Sequence, residues 1–118
     1  MNSHLTLVMR GKKTKLFDSL EETNFFTQFI GLMFKKQAKT PLLFKGNGRM
    51  AIHSFFCPSF DAVFLNKEKR AVHLQTVQPA TPRVAANAFF LLELPLGTIS
   101  RFKLKKGDKF TWNNQNNK

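Results

Sequence analysis

A chain of 118 residues with 19 basic and 7 acidic side chains, net +12, has the length of one domain and can bury roughly 65% of its unfolded surface. One Cys excludes an internal disulfide, and no window approaches the ~18 uninterrupted apolar residues of a membrane-spanning helix. Fourteen Phe beside no Tyr assign the aromatic bulk to packing, with no phenolic hydroxyl to serve a wet site.

Met1–Arg10 alternates polar and apolar residues without the continuous apolar core of a secretory leader, so the expected location is the cytoplasm. Within it, His4–Met9 reads as a strand, Arg10–Lys13 as a turn and Thr14–Phe17 as the strand's partner. Ser19 and Glu22 have capping-box spacing, and Glu21 and Glu22 suit the positive end of a helix dipole. With Phe25/Phe29 and Phe26/Ile30 at i,i+4, they predict one principal helix near 20–31, ended or kinked by Gly31. In the following Leu32-Met33-Phe34 and basic run Lys35, Lys36, Lys39, Met33 and Phe34 are expected in the core, and Lys35 and Lys36 in solvent.

Pro41–Phe44 reads as a short strand, and Gly46-Asn47-Gly48 supplies the positive φ of a hairpin turn. A central strand is expected over about 49–56 and another over 60–65. Asn66–Lys69 is a polar turn, and Arg70–Val77 a returning strand with Val72, Leu74 and Thr76 on one face. Pro79 and Pro82 bracket a loop to about 85, expected to be mobile and to rim a site. Asn87–Leu94 is almost wholly apolar up to Glu93, the pattern of a strand covered on both faces. Leu96–Phe102 predicts one helical turn, Lys105–Asp108 a turn, Lys109–Trp112 a closing strand and 113–118 a fraying tail. The expected fold is α+β, mainly β: a barrel-like antiparallel or mixed sheet in a single domain, its core about 4–112.

The chemistry-bearing residues concentrate in 49–65. Arg49, His53, Cys57 and Asp61 are evenly spaced and would share one face of an unbroken extended chain, but Pro58 interrupts it. Metal binding would draw on His53, Cys57 and Asp61, with His73, yet no metal-motif spacing is present, so no metal or cofactor is expected. His53 cannot activate Cys57 from four residues away along a strand, because about 13 Å separates them. Ser54 or Ser59 with His53 and Asp61 lacks a nucleophile-elbow glycine pattern, carboxylates are not paired, and no phosphate-cradling loop occurs. An ionised carboxylate in Phe60-Asp61-Ala62-Val63-Phe64-Leu65 needs partners. Those expected for Asp61 are Arg49, Lys35 or the N–H groups of the Gly31–Phe34 turn.

Basic turns at 10–15, 35–39, 66–70 and 101–109 carry the charge, some beside aromatics, as in Arg101-Phe102-Lys103 and Lys109-Phe110-Thr111-Trp112. Stacking on Trp112 between lysines is the device of sequence-tolerant single-strand binders. The plain alternative is that Phe102, Phe110 and Trp112 are core and the lysines merely solvated.

Gly31-Leu32-Met33-Phe34-Lys35, the Arg49-led apolar strand, Asp61 in its apolar context, Leu92-Glu93-Leu94-Pro95 and Gly107-Asp108 occur in this order. Together they resemble the domain-of-unknown-function 192 family over about 4–112. His53-Ser54-Phe55-Phe56 is nearer the family's His-Met-Phe-Phe form than its Trp-Met-Lys-Asn-Thr form, and Pro58 lies three residues before Asp61 where the family's Pro lies two. The resemblance implies a fold and no biochemical activity, and it places a basic residue, Lys35, where it could lie against Asp61. The expected function is a noncatalytic binding or accessory protein with a polar pocket at the central strand. Asp61 is its anchor, Arg49 the charge partner, His53 a polar wall, and Gly31, Met33 and Lys35 the neighbouring edge. The alternatives are a basic nucleic-acid-associated protein and an enzyme of unknown reaction. The expected partner is anionic or a protein, and the sequence carries no indication of oligomeric state.

Overall fold

A computed structural model describes residues 3–9, 12–18, 20–23, 41–52, 59–79 and 83–114. In chain order the described strands are β1 (Ser3–Met9), β2 (Lys12–Phe17), β3 (Glu21–Thr23), β4 (Leu42–Lys45), β5 (Met50–Ile52), β6 (Phe60–Leu65) and β7 (Ala71–Val77). They continue with β8 (Val84–Ala86), β9 (Phe90–Leu94), the short helix α1 (Thr98–Phe102) and β10 (Lys109–Asn114). The mainly β, α+β reading holds, as open layered sheets and not a closed barrel.

The middle layer is a five-stranded sheet in the order β3-β4-β9-β6-β7, antiparallel except for the parallel β3–β4 pair. Every residue of β6 is buried, as is β9 beyond Phe90, because both strands are covered on two faces. One face, with Phe60, Ala62, Phe64 and Leu91, packs on the β5–β8 ribbon through Met50, Ile52 and Val84. The other, with Val63, Leu65, Leu92 and Leu94, packs on the three-stranded sheet β10-β1-β2 through Leu5, Leu7, Leu16 and Phe110. The continuous apolar runs of 60–65 and 90–94 are the sequence form of strands buried on both sides.

Several expectations change. Gly46–Gly48 turns the chain as expected, Gly48 at φ +123°, but β4 pairs with β3 and β9 and not with β5. The turn therefore carries the chain out of the middle sheet into the covering ribbon. The strand beginning at Met50 is peripheral and pairs with β8, while residues 53–58 lie outside the described set. β6 takes the central position instead, beside β9.

Glu21–Thr23 is a strand, so the expected helix cannot begin at 20, and 24–31 lies outside the described residues. Parallel pairing with β4 overrides the local capping signal. A register shift between Phe64 and Leu65 breaks the alternation of β7, sending Val72 to the ribbon side and Leu74 to the three-stranded side. Val84 and Ala85, expected at the end of a loop, begin the strand Val84–Ala86, and Asn113 and Asn114 extend β10 by pairing with His4 and Ser3.

Candidate functional site

Asp61 is fully buried, on the face of β6 turned toward the three-stranded sheet. Oδ1 accepts the hydroxyl of Thr76 at 2.7 Å, and Oδ2 accepts the backbone N–H groups of Gly97 at 3.1 Å and Ile99 at 2.8 Å. Thr76 stands directly opposite Asp61 on β7, which fixes the first bond. The other two satisfy amides at the start of α1, where Gly97, at φ +95°, is the N-cap and has no side chain to do so. Asp61 thus supplies from another strand the cap that the helix lacks. The partner class expected from the sequence, backbone N–H, is realised, but by Gly97 and Ile99.

Arg49 is not that partner. Its guanidinium is exposed and donates to Oδ1 of Asn87 at 3.0 Å. Asp61 pairs with Leu94 at one end of β9, whereas Arg49 meets the chain just before the other end at Phe90. The four steps of β9 alone span about 13 Å. Gly31, Met33, Lys35 and His53, the remaining expected site residues, lie outside the described residues, as does Cys57. Among the described residues no three His, Cys, Asp or Glu side chains are grouped to hold a metal, and no helix is long and apolar enough to cross a membrane.

A second buried acid, Glu93, is 2% exposed. It pairs across the sheet with Ala62, the neighbour of Asp61, so the two carboxylates project to opposite faces and form no acid–base couple. His73 stands on the Glu93 side, its ring 5.8 Å from that of Phe64 and its Nε2 3.0 Å from Oε1 of Gln75.

The antiparallel pairing gathers the other loops at the edge of the middle sheet remote from Asp61. Lys45 and Leu65 both pair with Phe90, which places the β4–β5 turn, the β6–β7 turn and the start of β9 side by side. A cavity of about 340 Å³ opens there, lined by Lys45, Gly46, Asn47, Arg49, Met50 and Ala51. The neighbouring turn is tied by Asn66, whose side chain accepts the N–H groups of Glu68 and Arg70, both at 3.0 Å. From this turn Lys67 lies over the Phe89 ring at 5.1 Å and Lys69 over the Trp112 ring at 4.4 Å. Arg70 donates to the Gly107 carbonyl at 3.0 Å, joining the basic runs 66–70 and 101–109.

Of the basic 10–15 run, Lys13 stands in register with Lys109 across β1, both opposite Val8, and 35–39 is outside the described residues. Phe110 is core, as the plain alternative has it, and Phe102 and Trp112 are half-buried and pack against the same apolar cluster, Trp112 beneath Lys69. The sequence reading missed Asn66, Asn87 and Phe89 as parts of one edge. Asn66 carried a turn signal, but its meeting with the other two depends on strand pairing.

A family model described as "Uncharacterized ACR, COG1430", DUF192, matches residues 9–112. A UPF0127 protein of Pyrococcus furiosus is 30% identical over 113 residues, covering 90% of this chain and 95% of the relative. A UPF0127 protein of Pyrococcus horikoshii is 33% identical over 96 residues, covering 75% of this chain and 82% of the relative. The crystal structure of "a putative transcription regulator" from Sinorhizobium meliloti superposes with a TM-score of 0.80 at 17% identity, covering 95% of this chain and 94% of that one. A protein of unknown function from Novosphingobium aromaticivorans gives 0.76 at 21% identity, covering 92% and 84%. At such identities the two structures support the fold alone.

Proposed function

The chain belongs to the DUF192 family, whose description assigns no reaction, and we propose that it is a noncatalytic binding protein that takes an anionic partner at the Arg49 edge. The observation that carries this reading is that Lys45 and Arg49, which line the cavity of about 340 Å³, adjoin the turn bearing Lys67, Lys69 and Arg70. Five cations on adjoining loops make a local positive potential that attracts anions and is weakened by salt. Arg49 is the expected site residue that this proposal keeps, with its planar guanidinium oriented by Asn87. Asp61 is assigned to the scaffold, because three protein donors already occupy its carboxylate.

Heparin, a polyanion without bases, tests the reading. Arg49→Glu combined with Lys67→Glu should weaken heparin binding by at least about tenfold at low salt without altering thermal stability. Reversal of the same charge count at Arg83 and Arg101, exposed just before β8 and on α1 beside Asp61, should change it far less. Equal losses from the two pairs would reject a localised site.

A further inference from the structure

We infer that the anionic partner is single-stranded nucleic acid, held over the Asn66–Arg70 turn with bases stacked on Phe89 and Trp112. This rests on the anion-binding role proposed for the same edge. The aromatic rings distinguish this partner from other polyanions: a patch built only to attract acidic protein has no need of aromatic faces interleaved with its lysines, whereas unstacked bases do. Lys67 covers Phe89 on one side of the turn and Lys69 covers Trp112 on the other. Trp112 is braced at 5.3 Å by Phe90 in an edge-to-face contact, which holds its ring at a fixed angle. Phe89 belongs to neither apolar cluster and rests against Gly48. A base can replace each ammonium on its ring, and the displaced lysine then meets the adjoining phosphate.

The backbone at Lys69 points the same way. Its φ is +66°, a conformation usually left to Gly or Asn, yet the position carries a side chain whose ammonium lies on Trp112. Lys103, at φ +54°, shares this conformation as the C-cap of α1; at Lys69 the conformation also carries an ammonium set on an aromatic ring.

Trp112 is the only Trp and the chain has no Tyr, so intrinsic fluorescence reports this ring alone. The experiment titrates the full chain with an oligothymidylate of about 12 nucleotides, heparin and poly-glutamate, following both affinity and Trp112 emission. Stacking predicts quenching by the oligonucleotide and little by the other two. Phe89→Ala should weaken oligonucleotide binding about tenfold and leave heparin binding within about twofold. Lys69→Gly should keep or raise the melting temperature while weakening the oligonucleotide complex, which separates a binding role from a structural one even if Trp112→Ala fails to fold. Salt-dependent binding of heparin and poly-glutamate with unquenched Trp112 would overturn the nucleic-acid assignment and leave the anion-binding role standing. Absence of salt-dependent binding to all three would overturn both.

Discussion

Asp61 shows how a buried charge is tolerated at the scale of one side chain. Three donors converge on it, two of them amides that would otherwise be unsatisfied at the start of α1. Asp61→Ala should therefore cost about 3 kcal/mol or more in urea unfolding, because it strands those amides in the interior. Asp61→Asn should cost only about 1 kcal/mol: its oxygen can still face Gly97 and Ile99 while its amide donates to the Thr76 hydroxyl, and only the charge assistance is lost. Equal costs for the two variants would remove the helix-capping account. Gly48 is the other residue whose geometry is tightly set. At φ +123°, with Phe89 3.6 Å from where a Cβ would stand, Gly48→Ala should cost about 1–2 kcal/mol through backbone strain, measured by thermal melting.

Among the elements, the Asn66–Arg70 turn does two things at once. The Asn66 backbone accepts from Lys69 and donates to Arg70, and its side chain accepts two further amides. The Lys69 carbonyl in turn accepts from Phe110, which ties the turn to β10. Asn66→Ala removes both side-chain bonds and should destabilise by about 1–2 kcal/mol. Since the turn also sets Lys67 and Lys69 on their rings, the same variant should weaken binding more than Lys67→Ala alone, a comparison that titration against heparin makes directly. β7 carries a related lesson. Alternation read from the sequence assigned Val72 and Leu74 to one face, and the strand's bulge is the reason they pack on opposite layers.

For the whole molecule the question is whether the net charge of +12 acts as a diffuse field or through one edge. Salt dependence decides it. Five neutralised phosphates, at about 0.7 each for a single strand, give a slope near −3.5 for the logarithm of affinity against that of salt. A diffuse surface would give a much steeper slope, shared by any polyanion and insensitive to Arg49→Glu. The expected outcome is the shallow slope, falling by about 0.7 when Arg49 is neutralised as Arg49→Gln.

Residues 60–65 and 90–94 were legible as strands because apolar runs between polar turns encode their burial locally, and 71–77 because β-prone residues alternate with polar ones after a turn. The N-terminal hairpin, the turn at 105–108 and the single turn of α1 were legible for the same local reason, as was the burial of Asp61 amid five apolar neighbours. Strand order was not local. Whether β4 would pair with β5 or with β9 depends on side chains more than forty positions apart, and the same tight turn serves either choice. That choice placed Arg49 at the edge opposite Asp61, put α1 rather than Arg49 on the carboxylate, and brought Lys67, Phe89, Lys69 and Trp112 together. Local sequence determined which segments are buried and extended; pairing between distant strands decided which side chains meet, because the free energy of burial is collected only after the layers close.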